Sequence, residues 1–274
     1  MEIRRIWAAW FSGTGTTEKV VRALAEQLSK HLGVPLEELN WTSPAVRREE
    51  RCFAPGDLVV WGVPTYAGRV PNVLLPYLTE KLRGGGALAV PVVLFGNRNF
   101  DDALIELRDI LEKDGFHTAA AAAFVGEHAF SRTLGQGRPD DDDMALLASF
   151  AKKAAEKIAS LQETPRPVEV AGQSPLRPYY TPRDRAGTPI NILKVKPKTD
   201  MAKCNRCGLC ASLCPMGSID KDDPALVTGI CIKCCACVKK CPAGAKYYDD
   251  PGYLYHQHEL EEGYARRAEA VTFL

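Results

Sequence analysis

Nine of the ten cysteines in this 274-residue chain lie between Cys204 and Cys241, and Cys52 is the tenth. Eight of the nine form two copies of one pattern, in which three cysteines recur every three residues and a fourth follows four residues later, directly before a proline. The copies are Cys204, Cys207, Cys210 and Cys214, and then Cys231, Cys234, Cys237 and Cys241. In a reducing compartment, such clustering indicates metal binding rather than disulfides.

The spacing favours two iron–sulfur clusters over zinc. Three thiolates in one tight loop can converge on a cuboidal 4Fe-4S cluster, whereas the fourth, beyond a short turn, reaches the other cluster. One cluster is therefore predicted to take Cys204, Cys207, Cys210 and Cys241, and the other Cys231, Cys234, Cys237 and Cys214. Zinc sites, the alternative, use two pairs of cysteines separated by a longer spacer. Because the ligands cross between the halves, metal binding and folding are expected to be one event.

A second candidate site is a loop of small and hydroxyl residues, Ser12-Gly13-Thr14-Gly15-Thr16-Thr17. It lies between a strand-like segment and a helical pattern, where backbone amides and the helix dipole hold a phosphate. Glu18 stands where a dinucleotide fingerprint needs a third glycine, and the Gly-Lys-Ser/Thr of a Walker loop is absent. Neutral donors of this kind suit a phosphate monoester, and a simple glycine-rich turn is the alternative.

Two further loops follow the third and fourth predicted strands, where a doubly wound sheet binds its ligand. They consist of Pro64, Thr65, Tyr66, Ala67 and Gly68, and of Gly96, Asn97, Arg98, Asn99 and Phe100. A ligand with a planar aromatic ring needs a stacking surface and backbone hydrogen bonds at its polar edge. Tyr66 and Phe100 are the stacking candidates, with ordinary loop packing as the alternative for each.

The elements that must position these loops alternate along residues 1–162. Apolar runs predict strands over 3–11, 36–41, 58–62, 87–95 and 119–125. Helical patterns follow the first loop, with Gly33 as the C-terminal cap, and cover 73–82, 103–113 and 144–161. Five strands interleaved with helices predict an α/β fold, an open, doubly wound five-stranded parallel sheet covered on both faces.

The rest of the chain divides into three parts. Residues 163–197 contain seven prolines and are predicted to be a linker without regular structure. Their basic side chains indicate either a collar beside electronegative cofactors or a solvated linker. Residues 198–250 form the cysteine domain, whose halves repeat at a spacing of 27 residues. The tail, 251–274, has a helical pattern around 259–270 and an apolar end that is expected to dock on the protein.

The cysteine segment resembles bacterial two-cluster 4Fe-4S ferredoxins, and the three loops resemble those of the flavodoxin-like half of flavodoxin–ferredoxin fusion proteins of anaerobes. The resemblance implies a flavodoxin-like domain that binds FMN, followed by a small bacterial-type ferredoxin (α+β) domain with two 4Fe-4S clusters. It assigns the phosphate to 12–17 and the ring to 64–68 and 96–100, with 126–131 near the flavin edge. The net charge of +1 departs from the usual acidity of free flavodoxins and ferredoxins.

FMN holds one or two electrons and each cluster carries one, so the leading function is electron transfer that converts between paired and single electrons. The direction of flow is undetermined, and no catalytic residue is assigned. The alternative is a ferredoxin-linked, FMN-dependent reductase of a small substrate, which an enclosed cavity over the flavin would favour. His128 could donate a proton there, although a structural histidine is the plainer interpretation. Cys52 and Cys235 are interpreted as packing residues.

Composition excludes several partners. With 35 basic and 34 acidic side chains, the chain lacks the excess of positive charge that binding to nucleic acid or to an anionic membrane requires. No run approaches the roughly 18 apolar residues of a membrane span, and the N-terminus lacks the features of a signal peptide. The sequence therefore predicts a cytoplasmic protein that acts with redox partner proteins, and a homodimer is compatible with it.

Overall fold

The computed structural model of the protein describes residues 2–274, and its centre is one parallel sheet. Five strands build it, in the spatial order β2-β1-β3-β4-β5. They are β1 (Arg5–Trp10), β2 (Leu36–Asn40), β3 (Asp57–Pro64), β4 (Leu88–Phe95) and β5 (Ala121–Val125). The order 2-1-3-4-5 defines the flavodoxin-like doubly wound fold. The predicted five parallel strands are confirmed, and the sheet contains two further short strands: His117–Thr118 beside β4, and a C-terminal strand antiparallel to β5.

Helices cover both faces of this sheet. Helices α1 (Thr16–Leu32) and α3 (Asp141–Ser160) pack on one face, and α2 (Ala103–Lys113) packs on the other with most of the aromatic core. Side chains of β1 alternate between the two faces, and nearly all of them are buried. Strands β1, β3, β4 and β5 thus appear in the sequence as apolar runs, because water reaches neither face, whereas the edge strand β2 is largely exposed.

The predicted helix over 73–82 is found as a continuous but irregular helical segment, 72–81. It begins as a 3₁₀ turn over Asn72–Leu74 and ends as a π-helical turn over Tyr77–Lys81. Leu75 and Pro76 between them have right-handed helical dihedral angles, and Pro76, which has no amide hydrogen to donate, lies where the hydrogen-bonding pattern changes. The apolar periodicity corresponds to burial, because Leu74 and Leu78 are fully buried in the core.

The Pro-rich segment 163–197 is fastened to the sheet domain. Asp102 is completely buried and accepts hydrogen bonds from the backbone amide and the guanidinium of Arg177. The hydroxyl of Tyr179 donates to Val70 O over 2.8 Å, and the amide of Tyr180 donates to Ala67 O over 2.8 Å. The segment therefore lies on the two loops that follow β3 and β4.

The cysteine domain repeats its backbone as well as its sequence. Helix α4 (Leu209–Ser212) recurs 27 residues later as α5 (Ala236–Lys239). Left-handed residues recur at the same interval, with φ of 55° at Arg206 and at Lys233, and of 60° and 58° at Gly217 and Gly244. Two short strands, Lys198–Thr199 and Lys246–Tyr247, pair antiparallel and close the domain. The two cysteine motifs therefore occupy equivalent local structures.

The tail returns to the large sheet. Helix α6 spans Pro251–Gly263, eight residues earlier than the predicted pattern begins, because the Asp250 side chain accepts the Tyr253 amide and Pro251 starts the helix. The chain then ends in β6 (Val271–Phe273), which pairs antiparallel with β5. Among residues 2–274, no helix is long and apolar enough to cross a membrane.

Candidate functional site

A small apolar cavity lies among the cysteines. Its lining includes the four cysteines that the spacing assigns to one cluster, namely Cys214, Cys231, Cys234 and Cys237. Cys214 belongs to the first motif and the other three to the second, so cysteines of both motifs line this cavity. Pro197, Ile219 and Ile232 complete the apolar wall.

The other four predicted ligands are less enclosed. Cys207 is exposed, whereas Cys204, Cys210 and Cys241 are partly buried. Burial raises the pKa of Cys210, and the nearby Cys204 thiol adds to this effect. Burial also acts to raise the pKa of Cys241, but hydrogen bonds from backbone amides outweigh it and lower the pKa.

Backbone amides donate to equivalent sulfurs in the two motifs. Ser218 N lies 3.3 Å from Cys214 Sγ, and Ala245 N lies 3.3 Å from Cys241 Sγ. Such hydrogen bonds stabilise negative charge on sulfur and help to set the potential of an iron–sulfur cluster. Burial raises the pKa of Cys234 and of Cys237 to about 12, so metal binding at this cavity must displace protons from these thiols.

Within residues 2–274, no three Cys, His, Asp or Glu side chains converge as ligands of one ion. Instead, Cys214, Cys231, Cys234 and Cys237 surround the apolar cavity. A polynuclear cluster suits that arrangement, because each thiolate binds a different iron atom. The donor set and the cavity therefore fit a 4Fe-4S cluster.

Two tyrosines that the sequence analysis did not single out lie against the second motif. The hydroxyl of Tyr248 is 3.4 Å from Cys231 Sγ, and that of Tyr253 is 3.4 Å from Cys235 Sγ. The two rings stack with their centroids 4.2 Å apart. Cys235 is buried, and its φ of 57° places it where the first motif has Gly208.

The loop 12–17 has the geometry of a phosphate site. Gly15 adopts φ of 104°, and its amide donates to Ser12 Oγ over 3.1 Å. Lys19 N donates to Gly15 O, so the amides of Thr16 and Thr17 precede the first hydrogen bond of α1 and have no intrahelical acceptor. Free amides at the positive end of a 17-residue helix suit a phosphate, so the loop fits the phosphate of FMN.

The loop after β3 turns back on itself. Tyr66 and Arg69 form an antiparallel bridge, with left-handed φ of 52° at Ala67 and 78° at Gly68. The hydroxyl oxygen of Thr65 is buried without a hydrogen-bond partner among the described residues. Burial raises the pKa of Tyr66 well above its usual value, and the thiols of the second motif add to the shift. Tyr66 therefore faces the cysteine domain.

The residues of the loop after β4 make different kinds of contact. Asn97 Nδ2 donates to the carbonyls of Tyr264 and Arg266 over 2.7 Å each, so this side chain fastens the tail. Phe100 packs on Phe95 in the core, with the ring centroids 5.5 Å apart. Arg98 pairs with Asp101, and Asn99 Oδ1 accepts the amide of Asp101. Gly96 lies directly against the His128 ring, which leaves no room for a Cβ atom.

His128 is held in place by its own loop. Its Nδ1 accepts the amide of Phe130 over 3.1 Å, and its ring lies edge-on to that of Phe130. Burial lowers the pKa of His128 to about 4, and the nearby His256, Lys239 and Arg98 contribute in the same direction. At neutral pH this imidazole is therefore uncharged.

The phosphate-type loop and the second cysteine motif touch each other. A Cβ atom on Gly13 would lie only 2.9 Å from Cys234 Cβ and 3.4 Å from its sulfur. Nearby, Lys239 Nζ donates to His128 O over 2.7 Å and pairs with Glu127. The region expected to bind the flavin phosphate and the cavity expected to hold a cluster are thus separated by one layer of backbone.

A second cavity, of about 420 Å³, lies where the linker crosses the loops after β3 and β4. Backbone and side-chain atoms of Ala67, Gly68, Arg98 and Asp101 form one wall. The linker supplies the opposite wall with Arg177, Pro178, Tyr179, Tyr180, Thr181 and Arg183. Three arginines and one aspartate therefore face this space.

Comparison with known families and structures agrees with the two-part organisation. Residues 197–220 match the model of the 4Fe-4S binding domain, and they include the first motif, Cys204 to Cys214. No curated protein matches the chain.

Similar solved structures include three flavodoxins. One from the domain Archaea is 13% identical, with a TM-score of 0.41, over 57% of this chain and 99% of its own. One from Streptococcus pneumoniae is 20% identical, with a TM-score of 0.39, and the match covers 57% of this chain and 99% of that flavodoxin. A mutant flavodoxin from Fusobacterium nucleatum bound to flavin mononucleotide is 17% identical, with a TM-score of 0.35, over 58% and 95%.

The sheet order and the family match together describe the two parts of the chain. A domain with the flavodoxin-like sheet order precedes a segment that matches the 4Fe-4S binding domain. This is the architecture of the flavodoxin–ferredoxin fusion proteins.

Proposed function

We propose that this protein transfers electrons between FMN, bound at the loops of the sheet domain, and two 4Fe-4S clusters in the cysteine domain. The observation that carries the proposal is the contact of Gly13 with Cys234, which puts the flavin loop beside a cluster ligand. Bound FMN supplies exchange of one or two electrons, and each cluster exchanges one. Redox proteins are the corresponding partners, as donor or as acceptor.

Two observations support a pair of clusters. The cavity lined by Cys214, Cys231, Cys234 and Cys237 has the crossed ligand set that the spacing predicts. The backbone repeat at 27 residues gives the remaining set, Cys204, Cys207, Cys210 and Cys241, equivalent local structures, including the left-handed residues before each short helix.

The residues of the sheet domain have distinct roles in this proposal. The amides at the start of α1 hold the phosphate, and the buried, unpaired hydroxyl of Thr65 is available to the ring. Tyr66 belongs to the same loop and is close to the thiols of the second motif. Asn97 fastens the tail to the loop after β4.

The cavity of about 420 Å³ favours a second candidate function, an FMN-dependent reductase that takes electrons from the clusters. Its three arginines and its tyrosines suit a small, anionic, planar substrate. In this case the reduced flavin would pass its electrons to such a substrate and would be reoxidised only when the substrate is present.

The decisive experiment is cofactor analysis of anaerobically purified protein, followed by a stepwise reductive titration. We expect about eight irons and one FMN per chain, from two four-iron clusters and one flavin site. Absorbance and EPR then report which cofactor accepts electrons first. Colourless protein that contains zinc would refute the proposal. Reoxidation by a small anion without any protein partner would select the reductase.

A further inference from the structure

Lys240 brings a positive charge from the cysteine domain to the loop 12–17. Its Nζ lies 3.9 Å from the point that a Cβ on Gly15 would occupy. Among residues 2–274, this ammonium has no carboxylate partner and no hydrogen-bond acceptor, whereas the neighbouring Lys239 is fully engaged with Glu127 and His128. Within the described chain, Lys240 is thus a free cation beside the predicted phosphate site.

The loop itself lacks a cation for a phosphate dianion. Residues 12–17 are neutral, and the nearest lysine in sequence, Lys19, donates to Pro139 O over 2.9 Å. Glu18 pairs with Arg22 one turn along the helix. The helix N-terminus contributes only about half an elementary charge. A charge supplied from outside the loop would therefore complete the site.

The backbone at Lys240 is fixed relative to that loop. Its amide donates to Ala236 O over 3.0 Å at the end of α5. Two residues that precede Lys240 contact the sheet domain: Cys234 packs on Gly13, and Lys239 is anchored to the loop after β5. The flexible stem of lysine can then place its ammonium on a phosphate oxygen as a point charge.

We propose that Lys240 binds the phosphate of FMN, so that the cysteine domain completes the cofactor site of the sheet domain. This inference rests on the proposed function, because it needs FMN at loop 12–17. Lys240 then makes the site prefer FMN over riboflavin, which has the same ring but lacks the phosphate. It also couples the two domains, since Lys240 precedes the predicted cluster ligand Cys241. Any linkage between flavin and cluster binding acts in both directions.

The test uses the full chain, reconstituted with its clusters under anaerobic conditions and then freed of flavin. FMN and riboflavin are titrated separately, and quenching of flavin fluorescence gives the two dissociation constants. For Lys240→Met, at an exposed side chain, we expect FMN binding to weaken about twofold to fivefold, the range for an exposed ion pair. Riboflavin binding should change by less than about twofold, because it makes no phosphate contact.

Three variants provide controls. Lys240→Arg keeps the charge and should retain most of the FMN affinity. Lys239→Met makes the same change at the adjacent residue, whose ammonium faces Glu127 and His128, so it should affect both flavins alike. Lys153→Met, on the exposed face of α3, should affect neither. Iron content and the EPR spectra of the reduced clusters establish that each variant keeps its clusters.

The outcomes separate the two proposals. If the wild-type chain binds FMN and Lys240→Met binds it equally well, the role of Lys240 is refuted and the proposed function stands. Equal losses for FMN and riboflavin in Lys240→Met would also refute it, because they would indicate a change in docking. If the wild-type chain with intact clusters binds neither flavin, the proposed function fails and the role of Lys240 fails with it.

Discussion

The contact between Gly13 and Cys234 makes a quantitative prediction about Gly13→Ala. The added methyl would lie 2.9 Å from Cys234 Cβ, whereas carbon atoms pack best at about 3.5–4.0 Å. The loop and the cysteine motif must therefore separate by about 0.6–1.1 Å. Gly13 is outside the left-handed region, so the substitution adds no backbone strain of its own.

Overpacking of this size costs about 1–3 kcal/mol in the free energy of unfolding. We expect the larger part of the disturbance at the cavity that Cys234 lines, because the methyl meets the Cβ and the sulfur of Cys234. Anaerobic denaturant titration measures the loss of stability, and EPR of the reduced protein compares the two clusters. The cluster held by Cys234 should change its spectrum and the other should not.

Gly263→Ala is the matched control for this prediction. A Cβ on Gly263 meets no atom within 4 Å, and the residue ends helix α6 with ordinary dihedral angles. This variant should be neutral or slightly stabilising, because alanine favours helix. If Gly13→Ala matches Gly263→Ala in stability and in both EPR signals, the close packing between loop and motif is refuted.

Three further predictions concern single side chains. Cys214→Ala should damage the cluster of the second motif more than the other, and Cys241→Ala should do the reverse, as measured by EPR of each reduced cluster. Tyr248→Phe removes a hydrogen bond to a ligand sulfur and should lower the potential of that cluster by about 20–60 mV in a redox titration. Burial holds the pKa of His128 at about 4, below its value in the unfolded chain, so stability should fall as pH drops from 6.5 toward 4. His128→Asn should flatten that dependence by up to about 1.4 kcal/mol per pH unit in urea titrations, and His31→Asn, on the surface, should not.

Each of these three predictions has an outcome that would contradict it. Equal loss of both signals in the two cysteine variants would mean that the halves fold only together and that no ligand assignment can be drawn from them. An unchanged potential in Tyr248→Phe would show that its hydroxyl does not donate to sulfur. The same pH slope in His128→Asn and wild type would assign the acid sensitivity to other groups.

The sheet was predictable because both of its faces are buried. Parallel strands without solvent contact appear as apolar runs, and the predicted runs fall within a few residues of β1 to β5. Over 73–82 the periodicity correctly indicated a helical segment and its buried side chains, but not the change of hydrogen bonding along it from 3₁₀ to π-helical. Pro76, which donates no amide hydrogen, lies at that change. The start of α6 depended on a cap at Asp250, outside the apolar pattern.

The candidate site was predictable only in part. Cysteine spacing is a local property, and it pointed to the crossed set that lines one cavity. The placement of Tyr248 beside Cys231 depends on how the cysteine domain folds, and that of Lys240 beside Gly15 on how the two domains dock. Spacing records neither. Asn97 shows the same limit, since it lies in the predicted ring loop and yet bonds to carbonyls about 170 residues away. Loop position could not distinguish a cofactor contact from a clamp on the tail.

The pairing of β6 with β5 makes the ferredoxin-type domain an insertion rather than an appendage. The polypeptide leaves the large sheet after α3 and comes back to the edge of the same sheet at its last residues. Tethering at both ends keeps the domain from swinging away on a single hinge, as a domain on one linker would. Any passage of charge between the two halves then takes place at a permanent junction, independent of protein concentration, and β6 also covers an edge that would otherwise invite pairing with other chains.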